Sequence, residues 1–133
     1  MAKQVFRDGT EVAGFYARTI RTGPLVFVSG TTSLDAKGRV QGKDAFEQTL
    51  ITMRKIEGGL KSAGARLRDL TRLTIFVTDI RDMGAVSKAL ARALKGAVAS
   101  STLVAVSALA VPGLLVEIES TAFLPESGKG RGR

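Results

Sequence analysis

The sequence predicts an α+β fold, a mixed β-sheet with two helices packed on one face, in the order ββαβαββ. Three observations carry this prediction. Short apolar or alternating segments are typical of strands, most clearly at residues 25–30, 70–80 and 114–122. Two longer segments repeat their apolar residues at helical spacing, and turn residues separate all of these segments.

The first two strands are predicted as a hairpin. Residues 14–21 and 24–30 flank Thr22-Gly23, a pair that is typical of a tight turn. Residues 35–38, with the sequence Asp-Ala-Lys-Gly, indicate a further turn before the first helix. Residues 1–13 are polar and predict either a loose segment or an edge strand.

Both helices have recognisable end signals. Asp44 is placed to cap the first helix, with Glu47 three residues later in a capping-box arrangement, and Gly64 is a suitable stop. Asp79 or Asp82 is placed to cap the second helix, which runs to a glycine at position 96. The apolar positions of the first helix are Phe46, Leu50, Met53, Ile56 and Leu60.

The C-terminal part of the domain is predicted as two strands. Residues 101–110 and 114–124 are read as a closing strand pair, with Pro112-Gly113 as the turn between them. This turn also argues against a membrane helix in the uncharged stretch 97–116. Helices on one face leave the other face of the sheet bare, and self-association is the simplest way to cover it.

Composition restricts the chemistry. The chain has 133 residues, 44% of them hydrophobic, which suits one domain, predicted as residues 1–124. It contains no Cys and no His, so disulfides, zinc fingers and Ser-His-Asp triads are excluded. Acid–base chemistry must use Asp, Glu, Lys, Tyr16, water or the substrate. No cofactor or metal motif is recognisable.

Net charge is the main argument for an anionic partner. The formal charge is +8, and part of it lies in residues 125–133, predicted as a basic, Gly-rich, disordered tail. The remaining Arg and Lys are scattered and lack the interleaved aromatics of a nucleic-acid platform, so the sequence does not favour nucleic acid. We find no secretory signal and expect a cytoplasmic protein without membrane attachment.

The alternating segment 114–122 holds the main candidate for chemistry. Glu117 and Glu119 share one face with Leu115 and Thr121, while the other face is almost entirely apolar. A carboxylate in such a strand must be solvated, be paired, or lie in a site that uses its proton. This spacing fits either a solvent-exposed face of an edge strand or a functional site.

Several segments in register resemble one family. They are Leu-Val-Phe-Val-Ser-Gly at 25–30, Gln-Thr at 48–49, Gly-Ala at 64–65, Thr-Ile-Phe-Val-Thr-Asp at 74–79 and Leu-Val-Glu-Ile-Glu at 115–119. Together they resemble the RidA/YjgF family of reactive-intermediate deaminases. The resemblance implies a chorismate-mutase-like subunit and a homotrimer with clefts between subunits. It also implies hydrolysis of imines or enamines to keto acids and ammonia, without a cofactor.

The resemblance assigns expected roles to individual residues. Glu117 matches the Glu that positions or activates water and is the expected catalytic residue. The substrate-binding candidates are Tyr16, Ser29, Thr31, Ser101 and Thr102. Ser101 stands where the imine deaminases carry a carboxylate-binding Arg, so the chain resembles a subgroup without that clamp. Arg18, Arg21 and Arg72 are candidate replacements by chain position alone.

Three functions follow as expectations. The first is a cofactor-free deaminase or hydrolase for a small imine, enamine or aminated ring compound. The second is a trimer that binds a ligand or regulates without catalysis, which the serine at position 101 permits. The third is an RNA-associated, endoribonuclease-like protein, suggested by charge and by older names within the family.

Overall fold

The computed structural model describes residues 2–125, so the predicted tail, apart from Pro125, lies outside the described residues. A six-stranded sheet and two α-helices make up these residues. Short 3-10 turns, Leu67–Asp69 and Ile80–Asp82, precede β4 and α2. The main elements are β1 (Gln4–Phe6), β2 (Thr19–Thr22), β3 (Leu25–Thr31), α1 (Ala45–Ser62), β4 (Leu70–Val77), α2 (Met83–Leu94), β5 (Ser100–Ala105) and β6 (Val116–Phe123).

The sheet confirms the predicted mixed α+β fold and adds a short N-terminal edge strand. The strand order is β1-β2-β3-β6-β4-β5. All neighbours are antiparallel except β4 and β5, which are parallel and joined through α2. The first part of the chain therefore follows the edge-strand alternative. The β2–β3 hairpin is confirmed, although its first arm begins at Thr19 rather than at residue 14.

The predicted closing strand pair is wrong. β5 and β6 are not neighbours, because β6 lies between β3 and β4 and hydrogen bonds to both. The segment between them instead carries the chain from the β5 edge back to the centre. Sequence periodicity locates both strands, although β5 ends at Ala105 rather than at residue 110. It contains no information about which strands pair.

Both helices cover one face of the sheet. The fully buried Met53, Ile56 and Leu60 of α1 pack with Val86 of α2 and with alternate residues of β6. The α1 cap is as predicted: Glu47 N donates to Asp44 Oδ1 at 2.9 Å, although the Glu47 carboxylate accepts from Lys43 N. Asp79, in contrast, caps the 3-10 turn that precedes α2.

Gly59 allows close packing between α1 and the start of β2. A Cβ at this position would collide with Thr19 Oγ1 and lie 3.3 Å from Arg18 Cγ, whereas a Cβ at Gly58 would meet nothing within 4 Å. The helix therefore places a glycine where the sheet comes nearest. This contact explains why a residue with poor helix propensity stands inside α1.

The face opposite the helices is open and partly apolar. Cross-strand pairing puts Val5, Ile20 and Phe27 in one row and Leu25 beside Phe123 in another. Five large apolar side chains on this face are 38–50% exposed to solvent: Val5, Leu25, Phe27, Val104 and Phe123. No helix within residues 2–125 is long and apolar enough to cross a membrane.

Candidate functional site

Glu117 lies in the middle of the sheet, on the open face. Its partners across β4 and β5 are Phe76 and Val104, so apolar side chains occupy the same row. The side chain is half-buried. Burial raises the pKa of the Glu117 carboxyl above its usual value; Arg18 opposes this rise and Glu119 adds to it. The group is therefore poised to exchange a proton closer to neutral pH than an ordinary glutamate.

Gly30 forms the seat of the Glu117 carboxylate. The β3–β6 pairing is irregular between Val28 and Thr31, and this bulge brings the Gly30 backbone under the glutamate. A Cβ on Gly30 would collide with Glu117 Oε2 and lie 3.2 Å from the carboxyl carbon. The carboxylate can therefore rest on the strand only because residue 30 has no side chain.

Ser29 lies beside this seat and lines an open-face pocket of about 320 Å³. Its hydroxyl donates to Ala17 O at 2.7 Å, so the serine oxygen remains able to accept a hydrogen bond. Arg72, Thr74 and Glu119 line the same pocket, whereas Glu117 lies just beyond its lining. The pocket thus combines a cation, a carboxylate and hydroxyls next to the candidate base.

The other expected binding residues are not gathered at Glu117 within this chain. Thr31 is fully buried and belongs to the core side: its hydroxyl donates to Ser29 O at 2.6 Å and accepts from Arg18 Nη1 at 2.9 Å. Ser101 and Thr102 are exposed on the edge strand β5. Ser101 pairs with the buried Leu73 and so lies on the core side, while Thr102 lies on the open face.

Tyr16 belongs to the segment that leads into β2. Its Oη accepts from Val12 N at 3.1 Å, and its ring contacts the exposed Phe15 with a centroid separation of 5.5 Å. Arg7 Nη1 donates to Tyr16 O at 2.9 Å and fixes the backbone there. The hydroxyl therefore orders its own loop, and the neighbouring Phe15 presents an aromatic surface to solvent.

The three arginines considered as replacements for the missing clamp differ in their surroundings. Arg18 is buried and engaged in several hydrogen bonds. Arg21 donates to Gly23 O and, at 2.8 Å, to Ala63 O, which ties β2 to the end of α1. Arg72 is exposed and lines the pocket next to Ser29. Of the three, Arg72 is the one placed to meet a ligand there.

A second cleft, of about 440 Å³, lies on the helix side, between the N-terminal segment and α1. Lys55 lines it and donates to Thr32 O and Leu34 O, both at 2.8 Å. Burial lowers the pKa of Lys55 to about 8, and the neighbouring Arg18 contributes to that decrease. Within residues 2–125, no three His, Cys, Asp or Glu side chains cluster to hold a metal ion.

Comparison with known proteins agrees with the architecture and the motifs. The family model described as Endoribonuclease L-PSP matches residues 7–124. The chain belongs to the RidA/YjgF family. A RutC family protein of Pyrococcus abyssi is 28% identical over 126 residues, which is 92% of this chain and 98% of that protein. The mitochondrial protein mmf2 of Schizosaccharomyces pombe is 32% identical over 111 residues, covering 82% of this chain and 87% of mmf2.

Solved structures extend this family relationship to the fold. The crystal structure of a YjgF/YER057c/UK114 family member from Mycobacterium tuberculosis superposes with a TM-score of 0.83 at 39% identity, covering 92% of this chain and 100% of the other. A Rid family protein from Yersinia pestis gives a TM-score of 0.84 at 29% identity, with the same coverage. The expected chorismate-mutase-like fold, a mixed sheet with two helices on one face, is thereby confirmed.

The sequence did not anticipate the role of Gly30 or the buried network around Arg18. A Ser-Gly pair ending an apolar strand is a signal for a bulge or a close approach, and it was available in the sequence. For Arg18 the only signal is a charged residue immediately before a strand. That signal does not distinguish a buried guanidinium from a solvated one.

Proposed function

We propose that this protein is a cofactor-free deaminase of the hydrolase type, acting on a small imine, enamine or aminated ring compound. Glu117 is the proposed catalytic residue. The observation that carries the proposal is its half-buried carboxyl, with a raised pKa, seated on Gly30 beside the Ser29 pocket. The chemistry needs one positioned water and one proton carrier, and a chain without His or Cys can supply both through this group.

The proposed reaction is hydrolysis of a C=N bond. Water adds to the electrophilic carbon while the Glu117 carboxylate takes its proton, and the C=N electron pair moves to nitrogen. The protonated Glu117 then returns this proton to nitrogen, which gives a carbinolamine. In the second half of the reaction the Glu117 carboxylate takes the proton of the new hydroxyl and passes it to the amino group. The C=O bond forms as the C–N bond breaks, and ammonia leaves. An enamine or aminated ring enters the same route after protonation at carbon. The enzyme itself is unchanged after one turnover.

A homotrimer with clefts between subunits is part of the proposal. Its support is the row of exposed apolar side chains on the open face, which resembles an uncovered interface more than an ordinary surface. Tyr16, Ser101 and Thr102 lie away from Glu117 within one chain. In a trimer the exposed edge strand and the Tyr16 segment of an adjacent subunit would complete the cleft. Ser29 lines it directly, and Thr31 supports it from the core side.

The substrate is proposed to lack the carboxylate grip of simple 2-imino acids. Ser101 has no charge, and a charge-assisted bidentate contact typically contributes about 1.5–3 kcal/mol. We therefore expect turnover of 2-iminopropionate to be at least about tenfold below that of a relative with the Arg. Arg72 is the proposed anchor for any anionic group, because it shares the pocket with Ser29. Arg72→Gln should raise KM more than it lowers kcat.

Ammonia release from freshly generated 2-iminopropionate and from a panel of aminated ring compounds tests the proposal. With any substrate found, Glu117→Gln should lower kcat by about 10²–10⁴ because it removes the base but keeps the shape. Glu119→Gln is the comparison variant: Glu119 lies on the same strand and face and lines the pocket but is exposed, so its loss should act mainly on KM. A loss of kcat in Glu119→Gln as large as that in Glu117→Gln, or full turnover by Glu117→Gln, would remove Glu117 from its role as the base.

Two alternatives have specific support. Ser101 in place of the clamp favours a trimer that binds or regulates without catalysis; it predicts saturable ligand binding with no ammonia release. The charge of +8 and the endoribonuclease name of the family model favour RNA association. That alternative predicts binding that weakens steeply with salt. A cytoplasmic location stays part of the proposal, although the fission yeast relative is named as mitochondrial.

A further inference from the structure

Arg18 is a buried cation beneath the bulge that carries Ser29 and Gly30. Its side chain is 3% exposed. Nη1 donates to Gly30 O and to Thr31 Oγ1, both at 2.9 Å, and Nη2 donates to Thr10 Oγ1 at 3.0 Å. Four of its five N–H groups therefore have partners, counting the bond to Asp8 described below. A guanidinium so heavily engaged is unsuited to binding substrate, but well suited to fixing the backbone around it.

Gly30 connects this cation to the Glu117 carboxylate. The Arg18 guanidinium holds the carbonyl of Gly30, while Glu117 Oε2 rests against its Cα where a side chain would otherwise be. Only the thin bulge of β3 therefore separates the positive and negative groups. We infer that Arg18 is a positioning residue, which holds the Gly30 seat in place and electrostatically favours the ionised form of Glu117. This inference rests on the proposed function of Glu117.

Carboxylates of the N-terminal segment determine how strongly the charge of Arg18 acts on Glu117. Arg18 Nε donates to Asp8 Oδ2 at 3.1 Å, and Arg18 N donates to Glu11 Oε2 at 2.8 Å. Burial of Asp8 works against ionisation, but bonds from Thr10 and the charge of Arg18 still hold the pKa of Asp8 below its usual range. Asp8 therefore remains ionised at neutral pH and partly neutralises Arg18 as seen from Glu117.

The remaining charged groups around the pair are few. Glu119 lies on the same strand as Glu117 and raises its pKa, while Lys55 of α1 lines the helix-side cleft together with Arg18. The row neighbours of Glu117 on β4 and β5, Phe76 and Val104, carry no charge. Arg18 is thus the cation that opposes both burial and Glu119 at the candidate base.

The test is a carboxyl ¹³C NMR titration of Glu117 in the full-length protein, with the signal assigned by its loss in Glu117→Gln. Asp8→Asn should lower the pKa of Glu117, because Arg18 loses its counter-charge. Arg18→Gln should raise it by roughly half a unit or more, and Arg18→Lys should lie between Arg18→Gln and the parent. Arg21→Gln is the matched control: it removes a bonded guanidinium from β2, three residues after Arg18, and should leave the titration unchanged.

The opposite signs of the Asp8 and Arg18 effects separate an electrostatic role from a loss of structure. If Arg18→Gln does not fold, the Asp8→Asn variant still tests the inference. The Asp8 carboxylate is partly exposed and can be replaced by a near-isosteric amide. No shift in Asp8→Asn, or shifts of the same sign in both variants, would overturn the inference. The titration needs no substrate, so these results stand apart from any failure to find deaminase activity. On a verified substrate, the acidic limb of the kcat profile should move in the same directions.

Discussion

Replacing Gly30 by Ala offers a sharp test of how the carboxylate seat works. The backbone of Gly30 is not in the left-handed region, so alanine can adopt its conformation without strain. The added Cβ would collide with Glu117 Oε2, which is the far end of a flexible side chain. We expect the glutamate to rotate away rather than the strand to move. The free energy of unfolding should then change by no more than about 1 kcal/mol.

Turnover should respond very differently. Displacing the carboxylate by about 1 Å is enough to misplace the water, and such misplacement typically costs on the order of 10²-fold in rate. The assay pairs urea unfolding with ammonia release on a substrate that depends on Glu117. Gly58→Ala is the matched control, because its Cβ meets nothing within 4 Å; it should stabilise the protein by about 0.5–1 kcal/mol and keep full turnover.

Two results would refute this reasoning. If Gly30→Ala keeps the parent turnover, the carboxylate does not need its position on the strand. If Gly30→Ala instead unfolds while Gly58→Ala is stable, the Glu117 side chain cannot rotate away from the added Cβ. Both the strand and the glutamate are then fixed in position. Either outcome would require a different account of why a glycine stands beneath Glu117.

Further predictions concern packing, assembly and pH. Gly59→Ala should lower the free energy of unfolding by about 1–3 kcal/mol, measured in urea, because its Cβ would collide with the buried side chain of Thr19. Phe27→Asp should shift sedimentation from trimer to monomer by placing a charge in the proposed interface; an unchanged trimer would put the interface elsewhere. Glu117→Gln should raise the free energy of unfolding at pH 7. Because the folded pKa of Glu117 is raised, this advantage should shrink as the pH falls through that pKa toward 4.5, and urea titrations at several pH values would show it.

The amino-acid pattern specifies the elements of this fold better than their arrangement. Alternation in β6 correctly places Glu117 and Glu119 on one face, because a period of two depends only on local backbone geometry. The capping aspartate at position 44 is likewise a local signal. The pairing of β6 with β3 and β4 rather than β5 joins segments far apart in the chain, which no local pattern records.

In the candidate site, too, the sequence indicates individual residues but not their long-range contacts. Glu117 is recognisable as a carboxylate in a strand that is otherwise apolar, and the family motif supports it. The network of Arg18 with Asp8, Thr10 and Thr31 depends on segments that meet only after folding. A sequence can indicate that an arginine is present, but burial of its charge becomes evident only when all of its acceptors are seen together.

The central position of β6 has a consequence for the order in which the molecule can be assembled. The β1–β2–β3 ribbon and the β4–α2–β5 unit share no strand–strand contact, and β6 alone bridges them in the described sheet. During synthesis both parts leave the ribosome before the strand that unites them. Each then carries an unpaired edge on β3 or β4 that invites association with other chains. The domain can therefore complete its sheet only after residues 116–123 have emerged, so cooperative folding of the sheet must wait for the strand that is last in chain order.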